Sequence, residues 1–95
     1  MRERDIEGRL IKAVKEAGGV CPKFIAPGFD GMPDRIVILP GGHIGFVEVK
    51  TKGKQPRPLQ RKRHGMLRAL GFVVSVLDDP VQIPGIIEEV AAWRT

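Results

Sequence analysis

The chain has no tyrosine, one tryptophan and four phenylalanines, too few rings for a platform on which successive bases could stack. Its single cysteine, Cys21, excludes an internal disulfide and favours a cytosolic setting. Cys21 lies between Val20 and Pro22 with no His or Asn pattern to activate it, so it reads as a small buried thiol. No run of eighteen apolar residues occurs, and the start Met1-Arg2-Glu3-Arg4-Asp5 lacks an apolar signal region. The expectation is a cytoplasmic protein with no membrane segment. Acidic residues are also in deficit, eleven against sixteen Lys and Arg, for a net charge of +5. That balance points to an anionic partner, nucleic acid or a membrane surface, with nucleic acid favoured. Ninety-five residues make one domain, 1–95, with a core small enough that self-association would usefully add to it.

What is present organises into short elements. Ile6, Leu10, Ile11, Ala13, Val14 and Ala17 recur at helical spacing, predicting a helix over 3–18 that stops at Gly18-Gly19. Val20 to Ile25 is a short strand candidate, with Pro22 arguing for a sheet edge. A loop with two Gly and two Pro follows, Pro27 to Pro33. Arg35 to Leu39 and Ile44 to Lys50 read as two strands joined by a tight Pro40-Gly41-Gly42-His43 connection, with His43 a turn residue. Thr51 to Pro58 is a basic connector, Leu59 to Leu70 a second helix, and Phe72 to Leu77 a strand expected at the sheet centre. Asp79 to Trp93 holds a last helix, with Pro84 near its start. The order α-β-β-β-α-β-α predicts an α/β fold, a small mixed sheet flanked by helices.

Glu48 and Lys50 lie two apart in a strand, so both leave the same face. An isolated E-x-K of this kind is most simply a surface pair. Asp34 changes that reading. With the turn centred on Gly41-Gly42, residues whose numbers sum to about 82 or 83 face each other, which sets Asp34 opposite Glu48. Opposed carboxylates repel and stabilise nothing, but they suit Mg²⁺ or Mn²⁺, which take oxygen ligands and few from protein. The backbone carbonyl of Val49 is a further candidate ligand. Lys50 beside such an ion could orient or deprotonate a water and stabilise charge on a phosphate.

Two other polar residues stand where apolar ones belong. Glu7 falls inside the arc of Leu10, Ile11 and Val14; it is either a first-turn acid favoured by the helix dipole or a ligand reaching the metal. Gln60 lies on the side of Leu67 and either caps its own helix or hydrogen-bonds a phosphate or a metal-bound water. His64 reads as a surface or DNA-facing residue. Trp93, with Val90 and Ile87, forms an apolar stripe that belongs either to the core or to a dimer interface.

Glu7, Gly31-x-Pro33-Asp34, Glu48-Val49-Lys50 and Gln60, in this order and spacing, resemble the VRR-NUC domain of the PD-(D/E)xK nuclease superfamily. The resemblance covers nearly the whole chain and is to the stand-alone form found in phages and bacteria. It implies a restriction-endonuclease-like fold and a metal-dependent endonuclease cutting DNA, with Mg²⁺ or Mn²⁺ as cofactor. Asp34 and Glu48 would be metal ligands, Lys50 the water-activating base, Glu7 an accessory acid, and Gln60 a substrate-orienting or structural group. Stand-alone members look like homodimeric resolvases of branched DNA, including four-way (Holliday) junctions, acting in the cytoplasm of a bacterial or phage-infected cell.

Lys52, Lys54 and Arg57 follow the site directly, and Arg61, Lys62 and Arg63 open the second helix, with Arg68 extending the run. These are the expected DNA-binding residues, supplying affinity and salt dependence rather than base specificity. The alternative function is a non-catalytic basic module that recognises DNA shape. A sequence-specific restriction-type enzyme is a weaker third reading, since no reading module is evident.

Overall fold

The computed structural model describes residues 1–93. Three strands form one mixed sheet in the order β1 (Arg35–Leu39), β2 (His43–Val49), β3 (Val73–Leu77). β1 and β2 are antiparallel, and β2 and β3 run parallel. Three helices cover the sheet: α1 (Glu3–Glu16), α2 (Pro58–Ala69) and α3 (Ile83–Ala92), the last preceded by a short 3₁₀ turn over Pro80–Gln82.

The period-2 alternation of the strands sorts the core into two layers. Val37, Leu39, Val47, Val49, Val73 and Leu77 face one way and pack with Ile6, Leu10 and Val14 of α1 and Ile83, Ile86 and Val90 of α3. Phe46 and Val74 face the other way, packed against Leu67 of α2, with Ile36, Phe24 and Phe72 around them. Phe46 sits between Phe24 and Phe72 in two edge-on ring contacts, centroids 5.6 and 5.5 Å apart. Gly45 is set by this packing: a Cβ there would stand 2.5 Å from Val90 Cγ2, so only glycine lets α3 lie flat on β2.

The first strand predicted over Val20–Ile25 does not form. The segment runs alongside β1, but its pairing reduces to two isolated bridges, Val20↔Ile38 and Lys23↔Arg35. Pro22 is the cause. Val20 and Ile38 exchange both backbone bonds, at 3.0 and 2.9 Å, and Phe24 N–H reaches the Asp34 carbonyl at 2.7 Å. Between these, Ile36 donates to the Pro22 carbonyl at 3.1 Å, and Pro22 has no N–H to return. The element order is therefore α-β-β-α-β-α.

β3 is likewise not central. It forms an edge of the described sheet, and β2 is the middle strand. The apolar run over 72–77 registers two covered faces, α3 on one side and α2 on the other, rather than two neighbouring strands. The open edge of β3 is partly blocked by Arg68, whose guanidinium donates to the Val74 carbonyl at 2.9 Å. The Trp93 indole N–H donates to the Gly71 carbonyl at 2.7 Å, and the Trp93 carbonyl meets His43 Nδ1 at 3.1 Å. Trp93 stays 43% exposed, so the stripe divides, with Val90 wholly in the core. Cys21 is buried, and burial pushes its thiol up to about 11 against the opposing Arg35 charge, which leaves it protonated and unreactive.

Candidate active site

The hairpin register pairs Arg35 with Val47, so the next rung sets Asp34 against Glu48 and the one after it sets Pro33 against Val49. The predicted opposition of the two carboxylates is present. Asp34 does more than face Glu48: its Oδ2 accepts the Val49 N–H at 3.0 Å, prolonging the ladder with a side chain where the backbone of β1 has ended. Pro33, fully buried, explains that end. In an antiparallel ladder the N–H and C=O of one residue point the same way, here from Val49 toward the Pro33 rung. Pro33 has no N–H to give, so the Val49 carbonyl is left without a ladder donor beside the Asp34 carboxylate. Gly31, two residues earlier at φ +90°, lies so close under α2 that a Cβ would stand 2.9 Å from Leu59 Cγ. The Gly31-x-Pro33-Asp34 segment thus docks the loop, stops the ladder and aims the acid.

Glu48 is 2% exposed, on the face of β2 that α2 covers. Its Oε2 accepts Gln60 Nε2 at 3.2 Å and lies 3.6 Å from Lys50 Nζ. Burial first, and the Asp34 charge second, push the Glu48 carboxyl up to about 8, against the pull of Lys50. Of the two readings of Gln60, the geometry shows the cap on its own helix. Its Oε1 accepts the Arg57 N–H at 2.8 Å, capping α2, while its amide nitrogen reaches Glu48.

His64 was expected at the surface and is instead 2% exposed, with Nε2 3.7 Å from Glu48 Oε1. The signal was present in the sequence. Gln60, His64 and Leu67 recur at i, i+4 and i+7, and they are the buried residues of α2. Burial, then the Arg68 charge, holds the imidazole below its usual range, so it is neutral at physiological pH.

Glu7 is partly buried and occupied by Arg35, whose Nε donates to Glu7 Oε2 at 2.9 Å; Arg35 also donates to the Cys21 carbonyl at 3.1 Å. Among the described residues, no three His, Cys, Asp or Glu side chains gather closely enough to hold a metal ion, so Glu7 does not join Asp34 and Glu48 in one cluster. The remaining donor set fits a divalent cation of the Mg²⁺ or Mn²⁺ kind. It offers two opposed carboxylates, one of them held largely protonated near neutral pH by burial first and by the charge of the other second, and a carbonyl without a ladder donor. The balance of the coordination would be water, as is usual for Mg²⁺.

The expected DNA-binding residues flank this corner. Lys52 is 81% exposed and pairs with Asp79 at 3.2 Å, while Lys54, Arg57, Arg61 and Lys62 are exposed. Arg61 Nε donates to the Pro56 carbonyl at 3.1 Å. Arg63 is half-buried: its Nε donates to the Asp30 carbonyl at 2.9 Å and its guanidinium lies 3.9 Å over the Phe29 ring. A cavity of about 380 Å³ opens beside the site, lined by Asp30, Gly31, Arg57, Pro58, Leu59 and Gln60.

No protein-family profile matches the chain. A protein of Acyrthosiphon pisum secondary endosymbiont phage 1, named "Putative nuclease p44", is 49% identical over 78 residues, spanning 82% of this chain and 84% of that one. A solved structure described as a VRR_NUC domain superposes with a TM-score of 0.85 at 34% identity, over 90% of this chain and 94% of the other. With the hairpin carboxylates and the E-x-K strand in place, these likenesses show that the chain belongs to the VRR-NUC family of nucleases, within the PD-(D/E)xK superfamily. No described helix is long and apolar enough to cross a membrane.

Proposed function

We propose that this chain is a Mg²⁺- or Mn²⁺-dependent endodeoxyribonuclease, selective for branched DNA such as four-way junctions and acting as a homodimer in the cytoplasm. The observation that carries the reading is the Asp34–Glu48 opposition with Lys50 on the same strand face. Two carboxylates set against each other, one raised to about 8, are a liability for folding and an asset for binding a divalent ion.

Asp34, Glu48 and the Val49 carbonyl would hold the ion, whose chemistry is Lewis-acid stabilisation of charge on the scissile phosphate. Lys50 activates and orients the attacking water, whose oxygen forms the new P–O bond in line with the sugar oxygen that leaves. Gln60 keeps the Glu48 carboxylate turned toward the phosphate. Glu7 acts as an accessory acid through Arg35, the residue next to Asp34. Lys52, Lys54, Arg57, Arg61, Lys62 and Arg63 bind phosphates on either side of the cut. In a homodimer two such sites would act together, one on each of two strands, which is the arrangement that resolving a junction requires.

Incubation of the protein with four-way junction, flap and linear duplex DNA, with Mn²⁺, with Mg²⁺ and with EDTA, tests the reading. Junction cleavage with either ion, lost in EDTA and in Asp34→Ala while DNA binding persists, is the expected result. Full activity of Asp34→Ala, or cleavage in EDTA, refutes it.

A further inference from the structure

Two buried polar atoms of the site have no hydrogen-bond partner: Glu48 Oε1 and His64 Nε2. They face each other at 3.7 Å, and both side chains are 2% exposed. That separation is too long for a hydrogen bond and too short for a water on the line between them. A small rotation of either side chain closes it. Buried polar groups are almost always satisfied, so a pair of orphans at this distance marks an interaction completed in another state of the site.

We infer that His64 is a positioning residue for Glu48: its Nε2–H group is the donor that fixes Oε1 of that carboxylate when the site carries its divalent ion. The inference rests on the metal-dependent reading above. Glu48 Oε2 already has Gln60 Nε2 at 3.2 Å and Lys50 Nζ at 3.6 Å, whereas Oε1 has no hydrogen-bond partner and lies 3.7 Å from the imidazole. Anchoring both oxygens would fix the plane of the carboxylate, and groups that orient ligating side chains in this way typically change metal affinity about 10–100-fold when removed. The groups facing His64 are Arg68 on the next turn of α2, Lys50 and Glu48 on β2, and Asp34 at the head of β1. An imidazole on the buried stripe of α2 between Gln60 and Leu67 otherwise has no reason to replace an aliphatic residue, which would pack there without an orphaned nitrogen.

The test is Mn²⁺ binding by the intact protein, measured calorimetrically for wild type, His64→Leu, His64→Gln and His64→Asn, with thermal melting of each in EDTA. Gln can place an amide N–H where Nε2 stands, and Asn is too short. The expected pattern is unimpaired melting of His64→Leu with about 10–100-fold weaker Mn²⁺ binding, substantial recovery in His64→Gln and none in His64→Asn. ¹⁵N spectra of the wild-type histidines should show His64 Nε2 moving on addition of Mg²⁺, and this measurement decides the matter should His64→Leu fail to fold. Wild-type Mn²⁺ affinity in His64→Leu, equal losses in His64→Leu and His64→Gln, or an unmoved Nε2 signal would overturn the inference and leave metal dependence standing. Absence of Mn²⁺ binding by the wild type would overturn both.

Discussion

Pro33 stands opposite Val49 across the β1–β2 hairpin, on the rung where an ordinary residue would donate its N–H to the Val49 carbonyl. The proline withholds that donor, and the neighbouring Asp34 side chain takes over the Val49 N–H at 3.0 Å. One residue thus ends the ladder and leaves a carbonyl available beside two carboxylates.

Pro33→Ala should restore the missing N–H and let it compete for the Val49 carbonyl. The expected outcome is a rise of about tenfold in the Mn²⁺ concentration needed for half-maximal cleavage, equivalent to ~1.4 kcal/mol. Titrating activity with Mn²⁺, alongside melting curves to separate loss of packing, checks this. An unchanged metal requirement in a folded variant would mean that the carbonyl takes no part.

The Glu48 carboxyl is raised from 4.5 to about 8, by burial first and the Asp34 charge second. A carboxyl whose folded pKa exceeds its unfolded value takes up a proton on folding. Its stabilising share is therefore full below pH 4.5 and is lost as the pH rises through about 8. In EDTA the wild type should lose stability between pH 5 and pH 8.5, by on the order of a few kcal/mol. Glu48→Gln has no such carboxyl and should be markedly less sensitive over the same range. Urea unfolding at the two pH values measures the difference, and added Mg²⁺ should reverse the loss in the wild type only.

Glu7 and Arg35 form a partly buried pair at 2.9 Å, with side chains 25% and 15% exposed, and Arg35 is the residue after Asp34. Glu7→Gln should cost about 1–2 kcal/mol of stability, since it removes a charge-assisted bond from a guanidinium that keeps its Cys21 contact. Cleavage should fall by no more than about tenfold, because the effect reaches Asp34 only through the start of β1. A loss as complete as that of Asp34→Ala, with melting unchanged, would instead make Glu7 a direct ligand.

The legible parts of the sequence were those set by local chemistry. Gly41-Gly42 fixed the hairpin centre, and a centred hairpin fixes its register, so the Asp34–Glu48 opposition followed from counting. Gln60 showed itself as a polar residue on an apolar stripe. The same stripe contained His64, but a histidine in a run of Lys and Arg looks like surface until the i, i+4, i+7 spacing is weighed above its neighbours. Strand order was not legible, because an apolar run reports covered faces and is silent about edges. The break at Pro22 was half legible: the missing donor pointed to an edge, yet whether the ladder survives depends on which way that N–H would have faced.

The basic residues of α2 divide into two kinds that charge counting does not separate. Lys62 is exposed, while Arg63 holds the Asp30 carbonyl at 2.9 Å and covers the Phe29 ring at 3.9 Å. Lys62→Ala should weaken binding to junction and linear duplex alike and lower the salt-dependence slope by about one. Arg63→Ala should do this and also release the 29–31 loop that leads into Asp34, so cleavage per bound complex should fall as well. Arg63→Lys keeps the charge but cannot reproduce the planar guanidinium that lies over Phe29 while donating to the Asp30 carbonyl. It should therefore retain the salt slope while losing cleavage. Binding measured between 50 and 200 mM salt, with single-turnover cleavage at saturating protein, separates the two effects. Identical behaviour of Lys62→Ala and Arg63→Lys would reduce Arg63 to a plain phosphate contact.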